Sequence, residues 1–431
     1  MREMKDSGIE WIGKIPISTN LIKIKYRCNI EKGKLPKVTN TEKRGLPYIG
    51  ANEMNGNPPT TYTTDNLLVC QNEDTLILWD GANAGLVATN LSGIVSSTVV
   101  RCRLSSSTFS SRFLFYCIKN AESYYRQKVT GTTIPHMNSK YIDETYMLDI
   151  SLDKQQKIAD FLDAKCAEID TIIEKTKETI EEYKKLKQSV ITKAVTKGIR
   201  PNRPMKDSGI DWIGEIPENW NLVKLKSLSN QISKGATPKN MNIEQNSIYS
   251  IRFLKSENIV NNILRNQPQF FITEETHTNE LKRSQLRKED ILFVIAGASI
   301  GKVCIIDDKL LPANTNQAMA FIRLKSDYLS IKKYIWYVLQ SNLMKEFLLL
   351  FSVQSAQPNL SMSNLGLFKI PFSNCIEELF SITDYLDKKC AEIDTLISKK
   401  EAYITEMESY KKSLIYEYVT GKKEVKNFND R

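Results

Sequence analysis

Residues 4–16 read MKDSGIEWIGKIP, and residues 205–217 read MKDSGIDWIGEIP. Only Glu10/Asp211 and Lys14/Glu215 differ, so one phrase is written twice. A second phrase, FLDAKCAEIDTII at 161–173, returns as YLDKKCAEIDTLI at 385–397. Self-similarity over such a span means that one structural unit has been repeated, and here it makes the whole chain two copies. The first phrase returns after 201 residues (4 to 205) and the second after 224 (166 to 390), so the second copy holds 23 more residues between its phrases. Residues 17–150 and 218–372 share little. Matched ends with dissimilar middles imply a common structural job at the ends and separate tasks in between; uniform drift after duplication would not spare the ends alone.

From Asp153 to Thr196 there is no proline or glycine. Leu162, Cys166, Ile169, Ile173, Ile180, Tyr183, Leu186, Val190 and Ala194 recur in steps of three and four, which predicts a long amphipathic helix with a coiled-coil seam. The second copy repeats the stripe with Leu386, Cys390, Ile393, Ile397, Ile404, Met407, Tyr410, Leu414 and Tyr418. Gly198 and Gly421 stop the two helices. A rod of this length must bury its stripe against a partner, and the simplest partner is the other copy, antiparallel to it. Two helices packed separately, each on its own domain, is the alternative. Thr176, Lys187 and Lys400 lie near the seam and suit a bundle edge better than a dry core.

The middles have another texture. Thr75–Trp79, Ile94–Leu104, Asp290–Ala296 and Lys302–Ile306 are short, apolar and β-branched, bounded by Gly, Asn and Asp, which predicts β-rich α+β domains. Helices are expected around 112–127 and 331–350. Arg200-Pro-Asn-Arg-Pro204 makes a linker, because its prolines forbid helix continuation.

With 431 residues, 41% of them apolar, the chain can fill at least two cores. Lys plus Arg exceed Asp plus Glu, giving a net charge of +10 and a pI near 9.0, which favours a polyanionic partner such as nucleic acid or an anionic membrane. No apolar run approaches the roughly 20 residues a bilayer crossing needs, and MREMKDSGIEW lacks the apolar stretch of a signal peptide, so a soluble cytoplasmic protein is expected. The eight cysteines are scattered without a CxxC pair, and His136 and His277 stand apart, which gives a structural metal poor material.

The residues quoted above resemble the specificity subunits of type I restriction-modification systems. The resemblance covers essentially the whole chain. It rests on the two KDSGI(E/D)WIG(K/E)IP phrases, on Ile77-Leu-Trp-Asp-Gly-Ala82 and Gly131-Thr-Thr-Ile-Pro135, and on the helix starts Gln155–Asp163 and Ile382–Asp387. Lys234-Gly-Ala-Thr-Pro238, Gly297-Ala-Ser-Ile-Gly301 with Lys302, and Asn316-Gln317 add to it. It implies two target recognition domains, each reading half of an interrupted DNA target, separated by paired spacer helices. Its partners would be double-stranded DNA, two methyltransferase subunits that modify adenine, and motor-nuclease restriction subunits. S-adenosylmethionine, ATP and Mg would belong to those subunits; this chain would hold no cofactor or metal, carry no catalytic residue and serve host defence. Lys154-Gln155-Gln156 and Glu377-Glu378-Leu379 depart from the Glu-Gln often found before the family's first helix, which bears on the details of partner contact. Under this reading residues 1–152 are the first recognition domain, 153–198 the first spacer helix, 199–204 the linker, 205–375 the second domain, 376–421 the second helix and 422–431 a basic tail.

Candidate DNA contacts in the first middle are Lys34, Lys37, Arg44 and Asn52 in early loops, and Thr132, Thr133 and His136 in a late one. In the second middle they are Lys234, Thr237 and Lys239; Arg252, Lys255, Ser256 and Asn258; the basic cluster Lys282, Arg283 and Arg287; and Gln354, Ser355, Gln357 and Asn359, whose amides suit adenine. For each of these a solvated surface position is the bland alternative. Trp79 reads as a core aromatic more than a base-stacking one. Asn57-Pro-Pro-Thr60 lacks the aromatic of an adenine-methyltransferase motif and reads as a proline turn. Gly297–Lys302 is one residue short of a phosphate-binding loop and reads as a strand-to-strand turn. Two rival functions stay open on these residues: a stand-alone methyltransferase or nuclease, and a coiled-coil scaffold without DNA readout.

Overall fold

Each repeated phrase folds into the same small hairpin, Met4–Asp6 against Lys14–Pro16 and Met205–Asp207 against Glu215–Pro217. The Asp-Ser-Gly step makes the turn: the carboxylates of Asp6 and Asp207 each accept a backbone N–H two residues on, at 3.0 Å. Ile12 and Ile15 in one hairpin, and Ile213 and Ile216 in the other, then enter a core. The computed structural model describes residues 3–130, 135–242, 244–246, 248–352 and 358–425. It divides into two compact units: Met1–Lys177 with Ala402–Arg431, and Glu178–Glu401.

In the first unit, one antiparallel sheet has the order Cys28–Lys32, Val99–Leu104, Thr75–Leu78, Val87–Ala88. A second has the order Tyr62–Thr63, Leu46–Ile49, Gly93–Val95, Val69–Cys70, with Gly93–Val95 parallel to Leu46–Ile49. The apolar, β-branched stretch 94–104 is therefore two strands in different sheets. The break is a turn at Ser96, whose carbonyl accepts the Val99 N–H at 2.9 Å and whose hydroxyl lies 3.0 Å from that of Thr98. Helices Ser111–Asn120 and Glu122–Gln127 close the core.

The second unit repeats the plan. Its sheets run Ser229–Lys234, Met319–Leu324, Ile291–Val294, Val303–Ile305, and Phe271–Thr273, Tyr249–Leu254, Ala313–Thr315, with the last two strands parallel. Helices Lys332–Gln340 and Asn342–Phe351 take the covering position. An arginine–aspartate pair with a fully buried carboxylate braces the main sheet of each unit. Arg103 grips Asp74 with two bonds of 2.7 and 2.6 Å, and Arg323 grips Asp290 with two of 2.8 and 2.7 Å.

The long helices are Leu152–Lys197 and Ile376–Val419. In the first unit the early part of one lies beside the late part of the other: the rings of Phe161 and Tyr418 are 4.5 Å apart, and Lys411 binds Asp170 at 2.6 Å. In the second unit Lys187 binds Asp394 at 2.7 Å. Partner numbers fall as the first helix rises, so the pairing is antiparallel. Asp170 and Asp394 are equivalent in the repeat, as are Lys187 and Lys411; each unit makes the same bridge with donor and acceptor helices exchanged.

An equivalent aspartate ties each globular part to its own helix. Asp163 takes the Arg112 guanidinium and the Tyr116 hydroxyl, at 2.7 Å for the latter; Asp387 takes Lys333 and the Tyr337 hydroxyl, again at 2.7 Å. Burial alone would raise the Asp163 pKa, but the bonds from Arg112 and Tyr116 outweigh it and hold the carboxyl below its ordinary value. Of the expected seam, Leu162, Cys166, Ile169, Ile173, Ile180, Leu386, Cys390, Ile393 and Leu414 are buried. Tyr183, Val190, Ile397, Ile404 and Met407 are half-buried. Leu186 and Tyr410 are corrections, 49% and 52% exposed. They occupy equivalent positions, one residue before Lys187 and Lys411, and the apolar face continues instead through Ile191, Ala194 and Val195, and through Ile415 and Val419.

Candidate nucleic-acid interface

In both units a loop is launched from the main sheet by a glycine. Strand Cys28–Lys32 leads into Gly33, whose N–H donates to Val99 O at 3.0 Å, and a Cβ added there would lie 2.1 Å from Val95 O. Ser229–Lys234 leads into Gly235, whose N–H donates to Met319 O at 3.1 Å, and a Cβ there would lie 1.9 Å from Thr315 O. No side chain fits, so both chains cross at glycine and then leave the sheet. In the first unit the emerging loop carries Lys34 and Lys37, with Leu35 75% exposed between them. In the second it carries Thr237 and Lys239, with Lys234 at its root, all exposed.

A second segment reaches the same end of the sheet. Residues 79–85 turn between two strands, Gly85 N–H donating to Leu78 O at 2.7 Å. Residues 295–301 do likewise, Gly301 N–H donating to Val294 O at 2.9 Å, so Gly297–Lys302 is a strand-to-strand turn. A third segment is laced to this turn. Gly81 donates to Pro135 O at 3.0 Å and Met137 to Trp79 O at 2.9 Å; Gly297 donates to Pro358 O at 3.1 Å and Leu360 to Ile295 O at 2.8 Å. Three segments thus meet in each unit with matching backbone bonds.

The side chains on that frame differ. In the first unit Asp80 accepts from His136 Nδ1 at 2.6 Å and from Lys32 Nζ at 3.0 Å, and the Lys32 ammonium stands 5.4 Å from the centre of the half-buried Trp79 ring. Burial tends to raise the Asp80 pKa; the bonds from His136 and Lys32 prevail and hold it below the ordinary carboxylate range. In the second unit the corresponding bridge joins Ala296 to Asn359, and Thr237 bonds Gln317. Sequence reading missed Asp80 and Lys32. The signal was the Lys-Gly-x-x-Pro-Lys phrase at 32–37, which returns at 234–239.

The remaining expected contacts scatter. Arg44 is exposed and paired with Glu42 at 2.8 Å, and Asn52 spends its amide on Glu53 and Pro58, tying its own loop. Lys282, Arg283 and Arg287 are exposed on and after a short turn, while Ser256 and Lys255 are half-buried, the Lys255 ammonium 3.7 Å from the centre of the Phe270 ring. Arg252 and Asn258 are corrections. Arg252 is 9% exposed on the middle strand of its sheet, donating to Asn266 O at 2.9 Å and stacked on Phe271, and burial lowers its pKa. Asn258 is fully buried and holds its loop through Lys255 N–H, Arg265 O and Pro268 O. Both read as surface polar residues in sequence because strand alternation faces Arg252 away from Ile251 and Phe253, yet here both faces are covered. Thr132, Thr133, Gln354, Ser355 and Gln357 lie outside the described residues. Seven of the eight cysteines are buried, with Cys28 pushed up to about 12 by burial. Among the described residues no His, Cys, Asp and Glu side chains group to hold a metal, and no helix is long and apolar enough to cross a membrane.

The chain is thus built of two β-rich modules with long helices, each module presenting basic loops on one repeated frame. The model of the type I restriction modification DNA specificity domain matches residues 20–182 and 217–406, and the chain belongs to that family. The type I restriction enzyme MjaVIII specificity subunit of Methanocaldococcus jannaschii is 28% identical over 423 residues, spanning 96% of this chain and 95% of that protein. The EcoBI specificity subunit of Escherichia coli is 24% identical over 420 residues, spanning 90% and 85%. A solved structure from work on complex assembly and conformational transition of the type I R-M system shares the fold, with a TM-score of 0.65 at 14% identity over 94% of this chain and 98% of that one. Membership decides between the rival functions: this is a non-catalytic subunit for DNA target recognition, of a family that works with methyltransferase and restriction subunits.

Proposed function

We propose that the chain reads an interrupted DNA target, one half through each unit, and holds two adenine methyltransferase subunits and ATP-dependent endonuclease subunits in register with it. The observation that carries this reading is one backbone frame bearing two different sets of side chains: Lys32, Asp80 and His136 on the first, Lys234, Ala296 and Asn359 on the second. A frame fixed by backbone bonds presents side chains in a constant way, and the side chains then decide which base edges are accepted. A good bidentate contact discriminates by about 1–3 kcal/mol. Exposed lysines, within a net charge of +10, supply phosphate contacts that position without specifying. Two readers on one chain make the second contact intramolecular, so both halves can be demanded together. S-adenosylmethionine, ATP and Mg are held, in this reading, by the partner subunits.

Methylome sequencing of a host expressing this chain with its methyltransferase partner tests it. One motif of two dissimilar halves around a fixed gap is expected. Methylation without sequence preference, or at one uninterrupted motif, overturns the proposal. The purified chain alone, given labelled S-adenosylmethionine and DNA, should transfer no label.

A further inference from the structure

We propose that His136 discriminates one base pair of the first half-site, that Asp80 is its positioning residue, and that Asn359 occupies the same reading position in the second unit. This rests on the reading just given and narrows it to single side chains. His136 and Asn359 are equivalent by backbone: each follows the proline whose carbonyl binds the turn glycine, and each pairs across to the turn residue before that glycine, Asp80 or Ala296.

The chemistry of the first pair is directional. Asp80 divides its two oxygens between His136 Nδ1 at 2.6 Å and Lys32 Nζ at 3.0 Å. The carboxylate keeps the neutral ring's proton on Nδ1, which leaves Nε2 an acceptor on the far edge of the ring. Among the described residues Nε2 has no protein partner, and the His136 side chain is 56% exposed. An exposed pair of this kind contributes little to folding. It does fix the orientation of an acceptor that suits an exocyclic amine in the major groove, the N4 of cytosine or the N6 of adenine. The second unit has no carboxylate at the turn. Ala296 offers the exposed Asn359 no carboxylate to clamp it, and its carboxamide, a donor and acceptor together, matches the N6/N7 edge of adenine.

The test transplants one pair onto the other frame. The Asp80→Ala, His136→Asn double variant, with the methyltransferase partner, is compared with wild type by methylome sequencing. One position of the first half-site should change or relax, on the order of 10- to 100-fold in relative methylation. The second half-site and the gap should stay as they are. Asp80→Asn alone should relax the same position, because the ring remains but its clamp is weakened. Should the double variant fail to assemble by size exclusion, His136→Ala removes a ring outside the core and must relax the same position. A wild-type motif with two halves that none of these variants alters overturns this inference alone, as does a change in the second half-site. A wild-type pattern without two halves overturns the preceding reading and this one with it.

Discussion

Glu378 shows what a single buried carboxylate does in this fold. It is 4% exposed, and its oxygens accept from Arg203 at 2.5 Å, Trp220 Nε1 at 2.9 Å and the Ser373 hydroxyl at 2.7 Å. Burial would raise its pKa; the Ser373, Arg203 and Trp220 donors overcome that and hold it low. A depressed folded pKa contributes stability above the ordinary carboxylate value, and that stability is lost as pH falls through the folded value. Glu378→Gln leaves Arg203 without a counter-charge and should cost the second unit about 3 kcal/mol at pH 7 by urea denaturation, with the gap to wild type closing at acid pH. Arg252 is the opposite case, a buried cation that among the described residues has no carboxylate partner and whose Nε and Nη1 are unbonded. Arg252→Met should leave the methylated motif unchanged and raise stability by about 1 kcal/mol; a lost motif would restore Arg252 to the DNA face. Residue by residue, the sequence separated kinds of loop better than kinds of side chain. Lys34 and Lys234 are exposed on the launched loops, yet Arg252 and Asn258, equally polar in sequence, are inside, because coverage of a strand's second face depends on segments far away in the chain.

At the scale of elements, the long helices were the most legible part, since an uninterrupted apolar stripe needs no distant information. The error at Leu186 and Tyr410 has a geometric cause. A straight helix has 3.6 residues per turn, so a stripe counted in heptads drifts by about 20° per repeat, and late positions slide out of the seam. The junction at Asp163 carries the next prediction. Asp163→Ala strips the acceptor from Arg112 and Tyr116 and should destabilise the first unit by about 1–2 kcal/mol, read as faster hydrogen exchange in Ser111–Asn120 while Lys332–Gln340 is unaffected. Under the proposed spacer role, one heptad inserted after Lys177 and another after Glu401 should lengthen the gap of the target by about three base pairs, from about 1.5 Å per helical residue and 3.4 Å per base pair. Both half-sites should stay unchanged; altered half-site bases would contradict the division of labour.

For the molecule as a whole, the tandem repeat was legible in the two returning phrases. Antiparallel pairing of the long helices hands the end of the second helix to the first unit, which takes in residues 402–431, while the second unit is the continuous stretch 178–401. Leu414, Ile415 and Val419 belong to the core of the first unit, and the Tyr416 hydroxyl donates to Ile12 O at 2.9 Å. A chain stopped after Glu401 should therefore keep the second unit and lose the first: limited proteolysis is expected to cut within residues 1–150 and spare 205–375. Survival of the first unit would show that its core closes without those residues. The order of synthesis gives this partition a cost. During translation the module begun first is completed last, and until the final turns emerge it waits with an unfilled slot in its core. A ribosome that stops before residue 402 thus leaves the first unit with its core open, and a substitution at Leu414 or Val419 is felt among residues translated far earlier.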